Sequence, residues 1–169
     1  MERLFTPWRF PYVTSIERQS GPCVFCTLRD QPEKDGSNFV LLRGVESYIV
    51  LNRYPYTTGH LLMVPNLHAA RLQELPVSAL EEMARLTRRG EKLLGRTFHA
   101  HGFNVGINLG EAGGAGIEPH LHLHLVPRWR GDTNFMTVTG ETRVMPQDLD
   151  ETYRRLLPLF LAGEEGGAQ

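Results

Sequence analysis

The sequence has little of what marks a secreted, membrane-spanning or nucleic-acid-binding protein. Its 169 residues include only two cysteines, and 18 lysines and arginines nearly balance 19 aspartates and glutamates, for a net charge of −1. No apolar run approaches the ~20 residues needed to cross a bilayer, and no signal-peptide pattern is visible. A nearly neutral chain has no overall field that attracts nucleic acid or anionic lipid. We therefore expect a cytoplasmic protein that binds neither nucleic acid nor a membrane.

The sequence does contain enough apolar material for a globular core. Hydrophobic residues make up 41% of the chain, and a chain of this length commonly forms one domain. We find no internal repeat and no low-complexity segment. We predict a single domain over residues 1–169, with an aromatic-rich N-terminal arm at 1–20 and a frayed tail at 164–169.

Hydrophobic periodicity predicts strands on both sides of one long helix. The strand-like runs are 39–43, 47–51, 60–64, 103–109 and 120–126. The helix is predicted from Val77 to Thr97, with Ser78 and Glu81 as a capping box. Its apolar stripe is predicted to contain Leu80, Met83, Ala84 and Leu94. With a short C-terminal helix at 149–162, this order favours an α+β fold, a mostly antiparallel sheet covered by the long helix.

Three histidines at alternate positions, His120, His122 and His124, are the most informative feature. Successive side chains of a strand point to opposite faces, so we expect the three imidazoles on one face and the intervening leucines on the other. Imidazoles in a row can accept protons, bind a metal or attack an electrophile. A half-exposed strand that carries these histidines by chance is disfavoured, because the chain has only seven histidines.

The two cysteines, Cys23 and Cys26, have the Cys-x-x-Cys spacing that supplies two thiolates to one tetrahedral zinc. The remaining ligands must come from distant parts of the chain, and His68 and His120 are the candidates. A redox-active pair is the alternative, although no strand-then-helix context typical of thioredoxin surrounds the cysteines. The spacing therefore favours zinc.

A glycine-rich segment runs from Gly110 to Gly116, immediately before the histidines. Its glycines, among them Gly114 and Gly116, allow backbone N–H groups to approach a phosphate closely. The segment is neither a Walker loop nor a dinucleotide-binding fingerprint, and a plain flexible hairpin is the alternative. Its position beside the histidines favours the phosphate cradle.

The run His120-Leu121-His122-Leu123-His124-Leu125-Val126 resembles the motif of the histidine-triad (HIT) family, and residues 51–65 are similar to the second signature of that family. Further segments resemble bacterial diadenosine tetraphosphate phosphorylases of the histidine-triad type, namely 4–9, 101–110 and 127–135. The resemblance implies a histidine-triad fold over nearly the whole chain.

The resemblance also implies an enzyme that cleaves diadenosine tetraphosphate with inorganic phosphate, giving ATP and ADP. Members of the family attack the α-phosphate with the middle histidine, here His122, to form a nucleotidyl-histidine. His124 would hydrogen-bond the phosphate or the leaving group. One alternative is a hydrolase or nucleotidyltransferase of the same family. An alternative of another class is a nucleotide-binding adaptor with little turnover.

Several residues around the triad match functional positions of the family. Asn52 matches a position that binds ribose hydroxyls and Asn108 a polar position near the α-phosphate, although both could be ordinary turn or strand-end asparagines. Trp129 could stack on an adenine or plug the fold. His60 matches a histidine that buttresses the triad, and a purely structural role is the alternative.

In zinc-bearing relatives the metal ligands are a Cys-x-x-Cys pair, a histidine after a proline-initiated loop, and the first triad histidine. The resemblance therefore implies a structural zinc held by Cys23, Cys26, His68 and His120. Because family members usually dimerise, we also expect a homodimer. Its substrates would be adenine nucleotides and dinucleotides, together with inorganic phosphate.

One segment departs from the family pattern. Many members carry Gly-Gln-Ser or Gly-Gln-Thr before the first histidine, and here the sequence is Gly116-Ile117-Glu118-Pro119. The missing amide and hydroxyl argue against nucleoside phosphoramidase activity. No role follows for Glu118, and the sequence leaves open the acceptor, the base preference and the length of the phosphate chain.

Overall fold

The computed structural model describes residues 21–132 and 147–162, so the predicted arm at 1–20 and tail at 164–169 lie outside the described residues. Five antiparallel strands form one sheet in the order β1-β2-β3-β5-β4. The strands are β1 Val40–Arg43, β2 Ser47–Leu51, β3 Leu61–Pro65, β4 Gly102–Ile107 and β5 Leu123–Arg128. The predicted α+β class is confirmed.

Helices flank this sheet. The α-helices of the described ranges are α1 Val24–Asp30, α2 Asp35–Asn38, α3 Val77–Phe98 and α4 Leu149–Leu161. Short 3-10 turns span Pro32–Lys34, Leu72–Glu74 and Glu111–Gly113. Within the described parts of the chain, no helix is both long and apolar enough to cross a membrane.

Alternating side chains give the sheet two apolar faces. One face packs against α3 and α4, which bury Met83, Leu94, Leu156 and Phe160 against Leu41, Ile49, Leu51, Leu61, Met63 and Leu125. The opposite face carries a smaller cluster of Phe25 from α1 with Val40, Tyr48, Val50, Leu62 and Val64. The predicted cover by the long helix is confirmed, and the C-terminal helix α4 shares it.

The long helix lies very close to the middle of the sheet at Gly90. A Cβ atom on this glycine would stand 2.9 Å from a methyl of Leu125 and 3.1 Å from atoms of Leu61 and Met63. A side chain here would require these neighbours to move, or α3 to move away from β3 and β5. These are the strands that position the histidines, so Gly90 contributes to the geometry of the site.

Two predicted details of α3 are wrong. The helix begins at Val77, directly after Pro76, and the residue that caps it makes no side-chain hydrogen bond. Ser78 therefore lies inside the first turn and cannot form a capping box with Glu81. Ala84 is exposed, and the buried side of the helix contains Ala79, Glu82, Met83, Leu86, Gly90 and Leu94.

The histidine strand begins later than predicted. β5 starts at Leu123, where the register pairs Leu123 with Met63. Before that point the chain leaves the ladder and contacts the loop after β3, where the Leu121 N–H donates to the Ala69 carbonyl at 2.7 Å. His120 and His122 therefore precede the strand that carries His124.

A buried carboxylate ties α3 to the turn between β1 and β2. Glu82 is 8% exposed and accepts hydrogen bonds from the Val45 N–H at 3.0 Å, the Glu46 N–H at 2.7 Å and the Ser47 hydroxyl at 2.7 Å. Burial alone raises the pKa of Glu82, but these donors outweigh burial and hold the pKa below its ordinary value. The ionised form is therefore part of the folded structure.

We predict that Glu82→Gln destabilises the fold by about 1–3 kcal/mol, because an amide presents N–H groups to donors that need an acceptor. Urea unfolding followed by circular dichroism at neutral pH measures the change. Glu81→Gln is the matched control, since Glu81 is exposed on the same turn. Equal stability of the two variants would contradict this account.

Candidate functional site

The three histidines lie on the sheet face opposite α3 and α4. Leu121 and Leu125 are buried in the helix-covered core, and alternation turns the histidine side chains to the other face. Leu62, a member of the smaller cluster on that face, pairs with His124. His120 and His122 are 0% and 6% exposed, so their chemistry depends on the protein groups around them.

Cys23, Cys26, His68 and His120 converge as one cluster, with one ligand atom from each lying within 4.8 Å of all the others. The Sγ atom of Cys23 lies 3.3 Å from Nδ1 of His120, and Sγ of Cys26 lies 3.3 Å from Nδ1 of His68. The Cys26 Sγ to His120 Nδ1 distance is 3.6 Å. These four side chains can hold a metal ion.

The cluster has the dimensions that a tetrahedral ion requires. Metal–sulfur and metal–nitrogen bonds of about 2.3 and 2.0 Å at tetrahedral angles place the two ligand atoms about 3.5 Å apart. Burial and the neighbouring Cys23 raise the pKa of the Cys26 thiol. A bound cation would reverse this effect and favour the thiolate. The Nε2–H of His120 donates to the Pro65 carbonyl at 2.9 Å, which leaves Nδ1 with a lone pair facing the cluster.

Helix α1, which carries Cys26, is fastened to the sheet by Arg43 of β1. The guanidinium donates to the carbonyls of Leu28 at 2.7 Å and Arg29 at 3.0 Å, at the end of α1. It also forms an ion pair with Asp35. These contacts hold the cysteine segment against the sheet from the end opposite the cluster.

His122 has one ring nitrogen engaged and the other available. Its Nδ1–H donates to the main-chain carbonyl of His120 at 2.9 Å, so the lone pair is on Nε2. Burial lowers the pKa of His122 against the opposing effect of that hydrogen bond. The ring is therefore a neutral imidazole with a fixed tautomer and a nucleophilic nitrogen.

A hydrogen-bond chain through His60 fixes the tautomer of His124. The Tyr56 N–H donates to Nδ1 of His60 at 3.1 Å, so the proton of His60 is on Nε2. That Nε2–H lies 2.9 Å from Nδ1 of His124, which must accept it. A neutral His124 then carries its own proton on Nε2.

The Nε2–H of His124 is a buried donor without an acceptor among the described residues. Burial, with the nearby His122, lowers the pKa of His124 to about 4. Burial and the two neighbouring triad histidines lower the pKa of His60 to about 3. Both rings are neutral at physiological pH, and His124 can donate one hydrogen bond to a group that enters the site.

The predicted ribose contact, Asn52, lies beside this chain. Its amide nitrogen is 3.3 Å from Nδ1 of His60, and its Oδ1 accepts from the Tyr54 N–H at 2.9 Å. The same side chain therefore orders the loop before His60. Its role in binding ribose stays a prediction.

The glycine loop is ordered by its own hydrogen bonds. The N–H of Gly114 donates to the Glu111 carbonyl at 2.9 Å, and the Asn108 amide donates to the Gly114 carbonyl at 3.4 Å. Gly114 has a φ of +83°, a conformation that favours glycine. Asn108 follows Ile107, which pairs with Leu123, so it lies at the end of β4 nearest the histidines. The phosphate-binding roles of Asn108, Gly114 and Gly116 stay predictions.

Trp129 is half-buried beyond the end of β5. Its indole N–H donates to the Phe98 carbonyl, the last residue of α3, at 3.0 Å. This contact agrees with the alternative in which Trp129 packs within the fold. Stacking of Trp129 on an adenine stays a prediction.

Sequence reasoning missed two aromatic residues of the site. Phe25 packs on His122 with ring centroids 4.9 Å apart, and Tyr56 stacks on His124 at 5.9 Å with an interplanar angle of 12°. Phe25 lies between the two cysteines, and Tyr56 lies four residues before His60. Nearness in sequence to predicted site residues was therefore the available signal. Periodicity gives no such indication.

Comparisons with known proteins agree with this geometry. A profile of the HIT domain matches residues 33–131. An AP-4-A phosphorylase of Mycobacterium tuberculosis is 38% identical over 162 residues, which cover 93% of this chain and 83% of that protein. The chain belongs to the HIT family. The resemblance read from the sequence is confirmed.

Two further matches place this HIT protein among diverse members. The asymmetrical bis(5'-nucleosyl)-tetraphosphatase of Schizosaccharomyces pombe is 29% identical, over 75% of this chain and 65% of that protein. The crystal structure of a zinc-bound histidine triad family protein from Mycobacterium smegmatis superposes with a TM-score of 0.67 at 28% identity. The superposition covers 83% of this chain and 94% of the Mycobacterium smegmatis chain.

We predict that His60 makes the HIT fold sensitive to acid. Unfolded histidine takes up a proton near its ordinary pKa of 6.5, whereas folded His60 does so only near 3. Between these values the unfolded state binds more protons, so stability falls as pH falls. His60→Gln should reduce the pH slope of the unfolding free energy by up to about 1.4 kcal/mol per pH unit.

Urea unfolding at several pH values between about 7 and 5 measures this slope. His99→Asn is the control, because His99 is exposed and has a φ of +52°, which asparagine tolerates. A slope that falls equally in both variants would refute the role given to His60.

Proposed function

We propose that this HIT protein is a dinucleoside polyphosphate phosphorylase that converts diadenosine tetraphosphate and inorganic phosphate into ATP and ADP. The observation that carries the proposal is a pair of imidazoles. His122 has its lone pair on Nε2, and His124 has an Nε2–H without an acceptor among the described residues. The 38% identity to a relative named AP-4-A phosphorylase supports the choice of substrate and acceptor.

His122 would be the nucleophile. Its Nε2 lone pair attacks the α-phosphorus of the dinucleotide, a P–N bond forms, and the P–O bond to the departing ATP breaks. Because Nδ1 keeps its proton in the bond to the His120 carbonyl, attack requires no proton transfer. Inorganic phosphate then attacks the adenylyl-histidine, which releases ADP and restores the neutral imidazole.

His124 would stabilise the charge that this attack creates. A neutral imidazole that donates from Nε2 can hydrogen-bond a non-bridging oxygen of the α-phosphate or the oxygen of the leaving group. It keeps its own proton while it does so. The leaving ATP carries its own charge well, so a donor suffices and no strong general acid is required. Asn52, Asn108, Gly114, Gly116 and Trp129 are the proposed contacts to ribose, phosphates and base.

We propose zinc as the ion of the Cys23, Cys26, His68 and His120 cluster. Two thiolates and two imidazoles in a tetrahedral arrangement are a donor set typical of zinc. The zinc-bound Mycobacterium smegmatis relative supports this identity. With all four positions taken by protein ligands, the ion would be structural and would hold the segment around Cys23 to the residues before β5.

We also propose a homodimer in the cytoplasm. β4 is the last strand of the sheet order, and its Val105 side chain is 55% exposed. An uncovered edge strand is a natural place for a second copy to pair. The cytoplasmic location rests on the composition alone.

We predict that the parent protein releases ATP and ADP from diadenosine tetraphosphate only when inorganic phosphate is present. His122→Ala should lower this rate at least about 10³-fold, because the covalent route is lost. Nucleotide affinity should change little, since binding uses other contacts. Chromatography of the products with and without phosphate, and nucleotide titration of both proteins, make the measurement.

Other products would indicate another function. Equally fast cleavage without phosphate, giving AMP and ATP, would identify a hydrolase. Tight binding of adenine nucleotides by a parent protein with no turnover would favour the adaptor.

We predict about one zinc per chain in protein purified without chelator, and at least about 100-fold weaker zinc binding in His68→Asn, because even outer-shell changes cost 10–100-fold. Elemental analysis and competition with a chromophoric chelator measure both. His99→Asn is the matched control, an exposed histidine outside the cluster. Parent protein without metal would refute the zinc assignment.

A further inference from the structure

Phe25 links the metal cluster to the proposed nucleophile. It lies between Cys23 and Cys26, and its side chain is only 3% exposed. Its ring packs on His122 with centroids 4.9 Å apart and planes at 51°, and on His120 at 5.4 Å in an edge-to-face arrangement. One ring thus contacts both a metal-ligand side chain and the imidazole that would attack phosphorus.

Several contacts hold Phe25 against this face of the sheet. Its main-chain carbonyl accepts a hydrogen bond from the hydroxyl of Tyr48 at 2.8 Å, and Tyr48 is 1% exposed in β2. The cysteines on either side would be held by the ion. The ring itself packs in the same apolar cluster as Val40 and Leu62. Its main chain is therefore anchored, and its ring is confined by apolar packing.

His122 needs a second restraint that its own hydrogen bond does not provide. The Nδ1–H bond to the His120 carbonyl fixes the tautomer, but a single hydrogen bond permits the ring to tilt about it. A tilt swings Nε2, the atom at the far side of the ring. Misplacing a reacting atom by about 1 Å can cost about 10²-fold in rate. The Phe25 ring packs against one side of the imidazole and restricts its tilt toward that side.

We propose that Phe25 is a positioning residue that aims Nε2 of His122 from its place between the two cysteines of the metal cluster. The proposal rests on the proposed function, in which His122 is the nucleophile. Phe25 touches neither reacting atoms nor metal in this account. Its loss should slow attack on phosphorus while leaving substrate binding and metal binding in place.

The test compares Phe25→Leu with Phe160→Leu in zinc-loaded protein. Both replace a buried phenylalanine ring by a smaller apolar side chain, but Phe160 belongs to α4, packs on the opposite face of the sheet and is 1% exposed. The readouts are the single-turnover rate of His122 adenylylation, the half-saturating dinucleotide concentration, and the visible absorption of cobalt-substituted protein. Nuclear Overhauser contacts of the His122 ring protons report the orientation of the ring without turnover.

We expect Phe25→Leu to lower the adenylylation rate about 10- to 100-fold, with half-saturation and the cobalt spectrum unchanged, and Phe160→Leu to retain the parent rate. Equal rates in the two variants would overturn the proposal, as would a loss of affinity without a loss of rate, or an altered cobalt spectrum. If the parent forms no adenylyl-histidine, the proposed function fails. The NMR comparison then decides separately, because an unchanged orientation of the His122 ring in Phe25→Leu overturns the positioning role.

Discussion

The site depends on the burial of leucines that alternate with its histidines. Leu121 and Leu125 are 2% and 0% exposed in the core beneath α3. Because side chains alternate along an extended chain, anchoring the leucines places every triad histidine on the other face. A slip of one residue would exchange the two sets, and burying imidazoles beneath the helix would remove them from any substrate. The close approach of α3 at Gly90 reinforces this register.

The late start of β5 has a chemical consequence. His120 precedes the strand, so its carbonyl accepts the Nδ1–H of His122 and not a ladder N–H. Its ring donates from Nε2 to the Pro65 carbonyl at the end of β3, and its Nδ1 reaches Cys23, which is 97 residues away in sequence. Had the ladder continued through His120, the same carbonyl would face the neighbouring strand. The departure from regular structure therefore brings the metal cluster and the proposed nucleophile together at one residue.

The sequence predicted most of what depends on pattern, although the predicted position of Ala84 and the predicted start of β5 were wrong. Alternation identified the histidine face, spacing identified the cysteine pair, and the family resemblance implied all four members of the metal cluster. The capping box failed because Pro76 sets the helix start one residue before Ser78, a choice that local preferences did not resolve. The buried Glu82 was beyond reach, because its hydrogen-bond partners lie 35 or more residues away. The resemblance implied that His60 buttresses the triad, but not that its Nε2–H is donated to Nδ1 of His124. Pattern gives the face of a side chain but not its partners.

That limit matters most within the triad, where three identical side chains have three different capacities. His120 donates from Nε2 to the Pro65 carbonyl, and the lone pair on its Nδ1 faces the cysteines. His122 donates from Nδ1 to the His120 carbonyl and has its lone pair on Nε2. His124 accepts at Nδ1 from His60 and therefore carries its proton on Nε2. One residue type thus supplies a candidate metal ligand, a candidate nucleophile and a hydrogen-bond donor, since the neighbour of one nitrogen determines what the other can do.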